Sequence, residues 1–145
     1  MILRAAIVLS LLLYGGFSAK AADDRIWSAL VLATKETPER PVPDSLKDFA
    51  PTIKKVFGYG SLYVLGEKKR TLVTGGEEWL VPTDDFFFKV KCLSQDTSSY
   101  QVEIELYRKK DLLVTTQAKL ARNAPLYIRG PQWGAGQLIF LLEVR

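Results

Sequence analysis

Residues Phe86–Leu120 read FFFKVKCLSQDTSSYQVEIELYRKKDLLVTTQAKL, and this stretch decides the fold. It divides into three apolar-rich runs, Phe86–Ser94, Tyr100–Arg108 and Leu112–Leu120. The polar Gln95–Ser99 and the short Lys109–Asp111 separate them. In the middle run Val102, Ile104 and Leu106 alternate with Gln101, Glu103, Glu105 and Tyr107, the period-two pattern of a half-buried strand. Folding the first pair about Thr97 sets Phe88 opposite Leu106, Val90 opposite Ile104 and Cys92 opposite Val102. The same register sets Lys89 against Glu105 and Lys91 against Glu103 on the other face. Folding the second pair about Lys110 brings Val114, Thr116 and Ala118 opposite Leu106, Ile104 and Val102. One register therefore satisfies apolar packing inside and opposite charge outside, at roughly 0.2–1 kcal/mol per favourable pair. A one-residue slip would turn every side chain to the wrong face.

Outward from this ladder, Ile26–Thr34 is a strand with Trp27, Ala29, Val31 and Ala33 on one face and Ile26, Ser28, Leu30 and Leu32 on the other. Both sets are largely apolar, which predicts cover on both faces. Lys35–Pro43 holds Pro38, Pro41 and Pro43 and reads as an extended surface connector. A helix is expected over Leu46–Phe57, where Leu46, Phe49, Ala50, Ile53, Val56 and Phe57 form one apolar stripe. Ser45 with Asp48 suits a capping box, Lys54 and Lys55 suit the negative end of the dipole, and Gly58 suits the stop. Pro51 interrupts the pattern. Either the helix is kinked there, or the segment is a turn followed by a helix beginning at Pro51.

Ser61–Leu65 and Arg70–Val73 around Gly66-Glu67-Lys68-Lys69 read as a hairpin, followed by a short strand at Trp79–Val81 and a turn at Pro82–Asp85. Beyond the ladder, Leu126–Arg129 is a strand, Gly130–Gly136 a loop, and Gln137–Arg145 an apolar strand expected at the centre of a sheet. The fold class is mainly β: an antiparallel β-sandwich of about seven to nine strands with one short helix.

Residues 1–21 have the layout of a signal peptide: Arg4, an apolar Ala5–Leu13, then small residues ending in Ala19-Lys20-Ala21. A spanning helix needs about 20 apolar residues, and the paired Gly15-Gly16 and then Lys20 stop this run short. Residues 22–145 form the single domain. Cleavage removes two of the 20 basic side chains and none of the 16 acidic ones, leaving 18 against 16. The basic excess is thus no nucleic-acid signature, which needs a clustered basic face. Cys92 is the only cysteine, so no internal disulfide forms, and the register turns it inward as a small hydrophobe.

Histidine is absent, which removes the common triads, the usual imidazole base and the most frequent zinc ligand. Carboxylate chemistry needs two acids at a fixed separation. The adjacent pairs Glu77-Glu78 and Asp84-Asp85 point apart in extended chain. Gly130-Pro131-Gln132-Trp133-Gly134-Ala135-Gly136 lacks the Lys-Ser/Thr ending of a phosphate loop, and a strand follows it. Lys68-Lys69-Arg70 and Arg108-Lys109-Lys110 are solvated hairpin ends. A membrane barrel ranks low, because one face of the ladder is charged and the helix stripe would lack a partner. No metal, cofactor or catalytic residue is expected.

Leu46-Lys47, Lys54-Lys55-Val56-Phe57-Gly58-Tyr59, Ile128-Arg129-Gly130-Pro131-Gln132 and Gly136-Gln137-Leu138-Ile139 resemble patterns recurring in small exported bacterial proteins of no assigned function. The resemblance implies a bacterial envelope setting and carries over no catalytic residue. The sequence thus predicts an exported protein, periplasmic, envelope-associated or extracellular, acting as a non-enzymatic binding or assembly domain. Its partner is an unknown envelope protein or glycan, with no nucleic acid and no membrane span after cleavage. The alternatives are a small carbohydrate-binding module, marked by an exposed coplanar aromatic pair, and a carboxylate-dependent hydrolase, marked by two facing carboxylates. Trp133 is the nominated contact residue, with Pro131 and Gln132 beside it. Its competing role is to fold back near the helix and plug the open end of the sandwich.

Overall fold

A computed structural model describes residues 24–145. The expected signal peptide, residues 1–21, lies outside the described residues. The strands are β1 (Arg25–Thr34), β2 (Ser61–Thr71), β3 (Glu77–Leu80), β4 (Phe86–Gln95), β5 (Ser99–Arg108), β6 (Asp111–Ala121), β7 (Leu126–Trp133) and β8 (Gly136–Val144). They form two four-stranded sheets, in the orders β2-β1-β8-β7 and β3-β4-β5-β6. All ladders are antiparallel. The fold is the expected β-sandwich.

The β4–β5–β6 ladder has the register read from the sequence. Phe88, Val90 and Cys92 face Leu106, Ile104 and Val102, and Val114, Thr116 and Ala118 stand on the far side of β5. Two bulges interrupt it, leaving Leu93 and Leu113 as the extra residues. The inner residues of both sheets meet in one core that includes Ile26, Leu30, Phe88, Val90, Ile104, Leu138, Phe140 and Val144. Cys92 is fully buried there.

The first sheet is covered twice. Trp27, Ala29, Val31, Ala33, Ile139 and Leu141 point away from the sandwich and pack under Leu46, Phe49 and Ile53. Trp27 and Phe49 stack at 5.1 Å between ring centroids. The molecule therefore has three layers, helix on sheet on sheet, which explains why β1 and β8 are apolar on both faces.

Pro51 splits the helical segment. A single 3-10 turn, Asp44–Leu46, precedes α1 (Ala50–Phe57), with Pro51 in the first turn of α1. There its missing N–H costs no hydrogen bond. The capping box of Ser45 and Asp48 does not form: the cap residue of α1 is Phe49, with no side-chain cap. Gly58 ends α1 in the left-handed region at φ 80° and donates to the Lys54 carbonyl, as its position suggested.

Two other expectations are corrected. The hairpin around Gly66 is instead one continuous strand, β2, paired with β1 from Ser61 to Thr71. Gly66 serves close approach, not turning, because a Cβ there would lie 1.4 Å from the Pro82 carbonyl oxygen. The loop Gly130–Gly136 is mostly strand, since β7 runs on to Trp133 and only Gly134 and Ala135 make the turn. A bulge between Arg129 and Gln132 absorbs Gly130 and Pro131, a place where an edge strand tolerates proline. Buried Gln137 holds this bulge by donating from its side-chain amide to the Gly130 and Pro131 carbonyls.

Candidate contact surface

Trp133 ends β7 and is 40% exposed. The ring lies edge-to-face on Phe86 at 5.9 Å, and the Arg108 guanidinium lies 5.1 Å from its centroid. Phe86 in turn meets Phe140, and Phe140 meets Phe88, in further edge-to-face contacts of 5.7 and 4.8 Å. Trp133 is thus the outermost member of an aromatic series reaching into the core. It rests on the sandwich interior, not near the helix, which packs on the opposite face of the first sheet. Pro131 is half-buried in the bulge, and Gln132 is exposed. The three nominated residues do share one end of the molecule, but only Trp133 offers a large apolar surface.

The larger feature is next to it, on the outer face of the second sheet. Register puts Phe87 opposite Tyr107, and Tyr107 opposite Leu112. Trp79 sits opposite Lys89 on the neighbouring edge. Phe87 and Tyr107 stack at 5.1 Å with planes 9° apart. Trp79 leans on both, at 5.4 and 6.1 Å. Trp79 and Leu112 are 45% and 51% exposed, and Val81 and Leu113 are also exposed at the same end. Tyr107 and Arg108 are consecutive, so this strip meets the Trp133 surface around the end of β5. Isolated exposed apolar residues are ordinary, whereas here several are grouped on one sheet face.

Charge frames the strip on one side. The Lys89 ammonium lies 3.5 Å from Glu77 and 3.4 Å from Glu105, and 5.6 Å from the Trp79 ring centroid. The Tyr107 hydroxyl donates to Glu105 at 2.6 Å. That hydrogen bond, with help from Lys89, outweighs burial and holds the Glu105 carboxyl below its ordinary range. Burial acts against the Lys89 charge, but Glu105 and Glu77 outweigh it and raise its pKa. Glu77 and Glu105 are thus joined by an ammonium on an open sheet face.

Elsewhere, a polar clasp ties the start of the described chain to the second sheet. Asp24 accepts from Arg122 Nε at 2.9 Å and from the Tyr100 hydroxyl, while Arg122 Nη1 donates to the Thr97 carbonyl at 3.0 Å. The Arg122 hydrogen bond is the main reason the Asp24 carboxyl titrates low. Among the described residues, no three His, Cys, Asp or Glu side chains gather as a metal would require. Nor is any helix among them long and apolar enough to cross a membrane.

No family model, no curated protein and no solved structure matches this chain.

Of this surface, the sequence reading named Trp133, Pro131 and Gln132 and missed Trp79, Phe87 and Leu112. The signal was present for one of them, Phe87. The Thr97 register already sets Phe87 opposite Tyr107, on the face assigned to solvent. Trp79 carried no such signal, because its place depends on how β3 pairs with β4.

Proposed function

We propose that this is an exported bacterial envelope protein whose sandwich domain docks a partner protein, as a non-enzymatic binding or assembly component. The observation that carries the reading is the outward-facing strip in which half-buried Phe87 and Tyr107 adjoin exposed Trp79 and Leu112, continued by Trp133. Aromatic residues with an arginine beside them are the usual anchors of protein interfaces, where a few residues supply most of the affinity. The signal-peptide layout of residues 1–21 supports export. A glycan platform fits less well. Phe87 and Tyr107 lie face to face, so each ring hides one stacking surface against the other.

The test is site-specific photo-crosslinking in envelopes of the native host. A photoreactive residue at Leu112 is expected to give one adduct of defined mass, and the same residue at the exposed Val56 of α1 none. Trp79→Ala should weaken the adduct about tenfold or more. Equal labelling at both positions, or an intact chain retained in the cytosol and still starting at Met1, overturns the reading.

A further inference from the structure

Four strands lie at sheet edges: β2 and β7 in one sheet, β3 and β6 in the other. An edge presents a row of unpaired N–H and C=O groups, and proteins guard such rows by shortness, charge, proline or bulges. Three of these edges are guarded. β3 has four residues. β2 carries Glu67, Lys68, Lys69 and Arg70 in succession and a bulge beside Leu30. β7 carries Arg129, Pro131 and its own bulge.

β6 is the exception. It has 11 residues and no proline, and its one irregularity is near its start, at Leu113. From Val114 to Ala121 it is regular and reads VTTQAKLA, with Lys119 the only charge. Its inward residues Val114, Thr116 and Ala118 are only half-buried, as are Leu126 and Ile128 of β7 in the opposite sheet. The sandwich is therefore open along the side where these two edges lie.

We propose that β6 pairs antiparallel with β6 of a second copy, about a two-fold axis at Gln117. An axis perpendicular to the sheet keeps the inner faces of both copies on one side, so inward residues must oppose inward residues. With Gln117 on the axis, Val114 opposes Leu120 and Thr116 opposes Ala118 on the inner face, while Thr115 opposes Lys119 outside. No like charges meet. Centring on Thr116 runs the ladder into the bulge at Leu113. Centring on Ala118 sets Val114 against Arg122, whose guanidinium is committed to Asp24. The pairing also closes: the joined sheet runs β3-β4-β5-β6-β6-β5-β4-β3 and ends on the two short β3 edges, leaving no unguarded strand among the described residues. This contact uses different residues from the aromatic strip and does not depend on it.

The experiment uses protein produced from the full-length coding sequence. Sedimentation equilibrium is expected to show a concentration-dependent dimer. Gln117→Cys places two thiols directly opposite, at the roughly 4.5–5.5 Å Cβ separation of facing residues, so mild oxidation gives a covalent dimer. Thr115→Cys leaves its counterpart four residues away, about 13 Å along the strand, and stays uncrosslinked. Cys92 is buried and contributes nothing. Gln117→Lys sets two ammonium groups against each other and should weaken the dimer at least about tenfold, with an unchanged circular dichroism spectrum because residue 117 is exposed in the monomer. A monomer at every concentration overturns the proposal, and that is the result if another protein or the chain's own first residues cover β6. Equal crosslinking at 115 and 117, or a dimer indifferent to Gln117→Lys, overturns it as well.

Discussion

Truncating Ile104 to alanine tests the register on which the sandwich rests. Ile104 is fully buried near the middle of β5, between Val90 of β4 and Thr116 of β6, and points into the core shared by both sheets. The substitution removes three carbon atoms from water-free surroundings, worth about 2.4 kcal/mol at about 0.8 kcal/mol each. The cavity left behind raises the cost, since flanking strands cannot close on it without breaking their own ladders, so the total falls within about 2–5 kcal/mol. The neighbouring Glu103 points the other way, is half-buried, and makes no ion pair within 4 Å among the described residues. Glu103→Ala should therefore cost less than about 1 kcal/mol. Urea unfolding followed by circular dichroism measures both. Similar losses at the two positions, or a larger one at Glu103, would refute the assignment of faces.

Gly66→Ala drives a methyl group into the Pro82 backbone and should cost about 3 kcal/mol or more, because no side chain can swing aside; an unchanged urea midpoint would contradict that contact. Trp133→Ala removes an edge-to-face pair worth about 0.5–1.5 kcal/mol and an exposed cation–π contact worth about 0.5–1, so a loss of roughly 1–2 kcal/mol is expected rather than the 3–5 of full burial. With Trp27 and Trp79 replaced by Phe, its fluorescence should be partly quenchable; complete protection or complete access would each disagree. Asp96 is held at about 2 by the Ser98 backbone N–H and the Ser99 hydroxyl and N–H, and Asp24 is lowered by Arg122. Both folded pKa values lie below the unfolded ones, so each contribution is present above the unfolded carboxylate pKa and is lost as pH falls through the folded one, which for Asp96 is about 2. Urea midpoints across that window should drop with pH, and Asp96→Asn together with Asp24→Asn should flatten the slope.

The sequence by itself determined the central ladder, the double cover of β1, the central place of β8 and the stop at Gly58. Each of these is written in local periodicity or in charges a few residues from a turn. It left Pro51 with two readings, and packing over Trp27 and Ala29 selected the split. It misread Gly66 and Gly130, because a glycine that turns the chain and one that leaves room for a close neighbour look alike until that neighbour is known. That neighbour is Pro82 in one case and the β8 residues Leu138 and Phe140 in the other. The candidate contact surface divides the same way. Trp133 was legible as an aromatic with little local support, and Phe87 was implied by its pairing with Tyr107. Only the tertiary structure brought Trp79 against them, placed Arg108 over Trp133 and joined Asp24 to Arg122. Those contacts depend on strands pairing or sheets stacking across the whole domain, and neither leaves a periodic trace in the residues that meet.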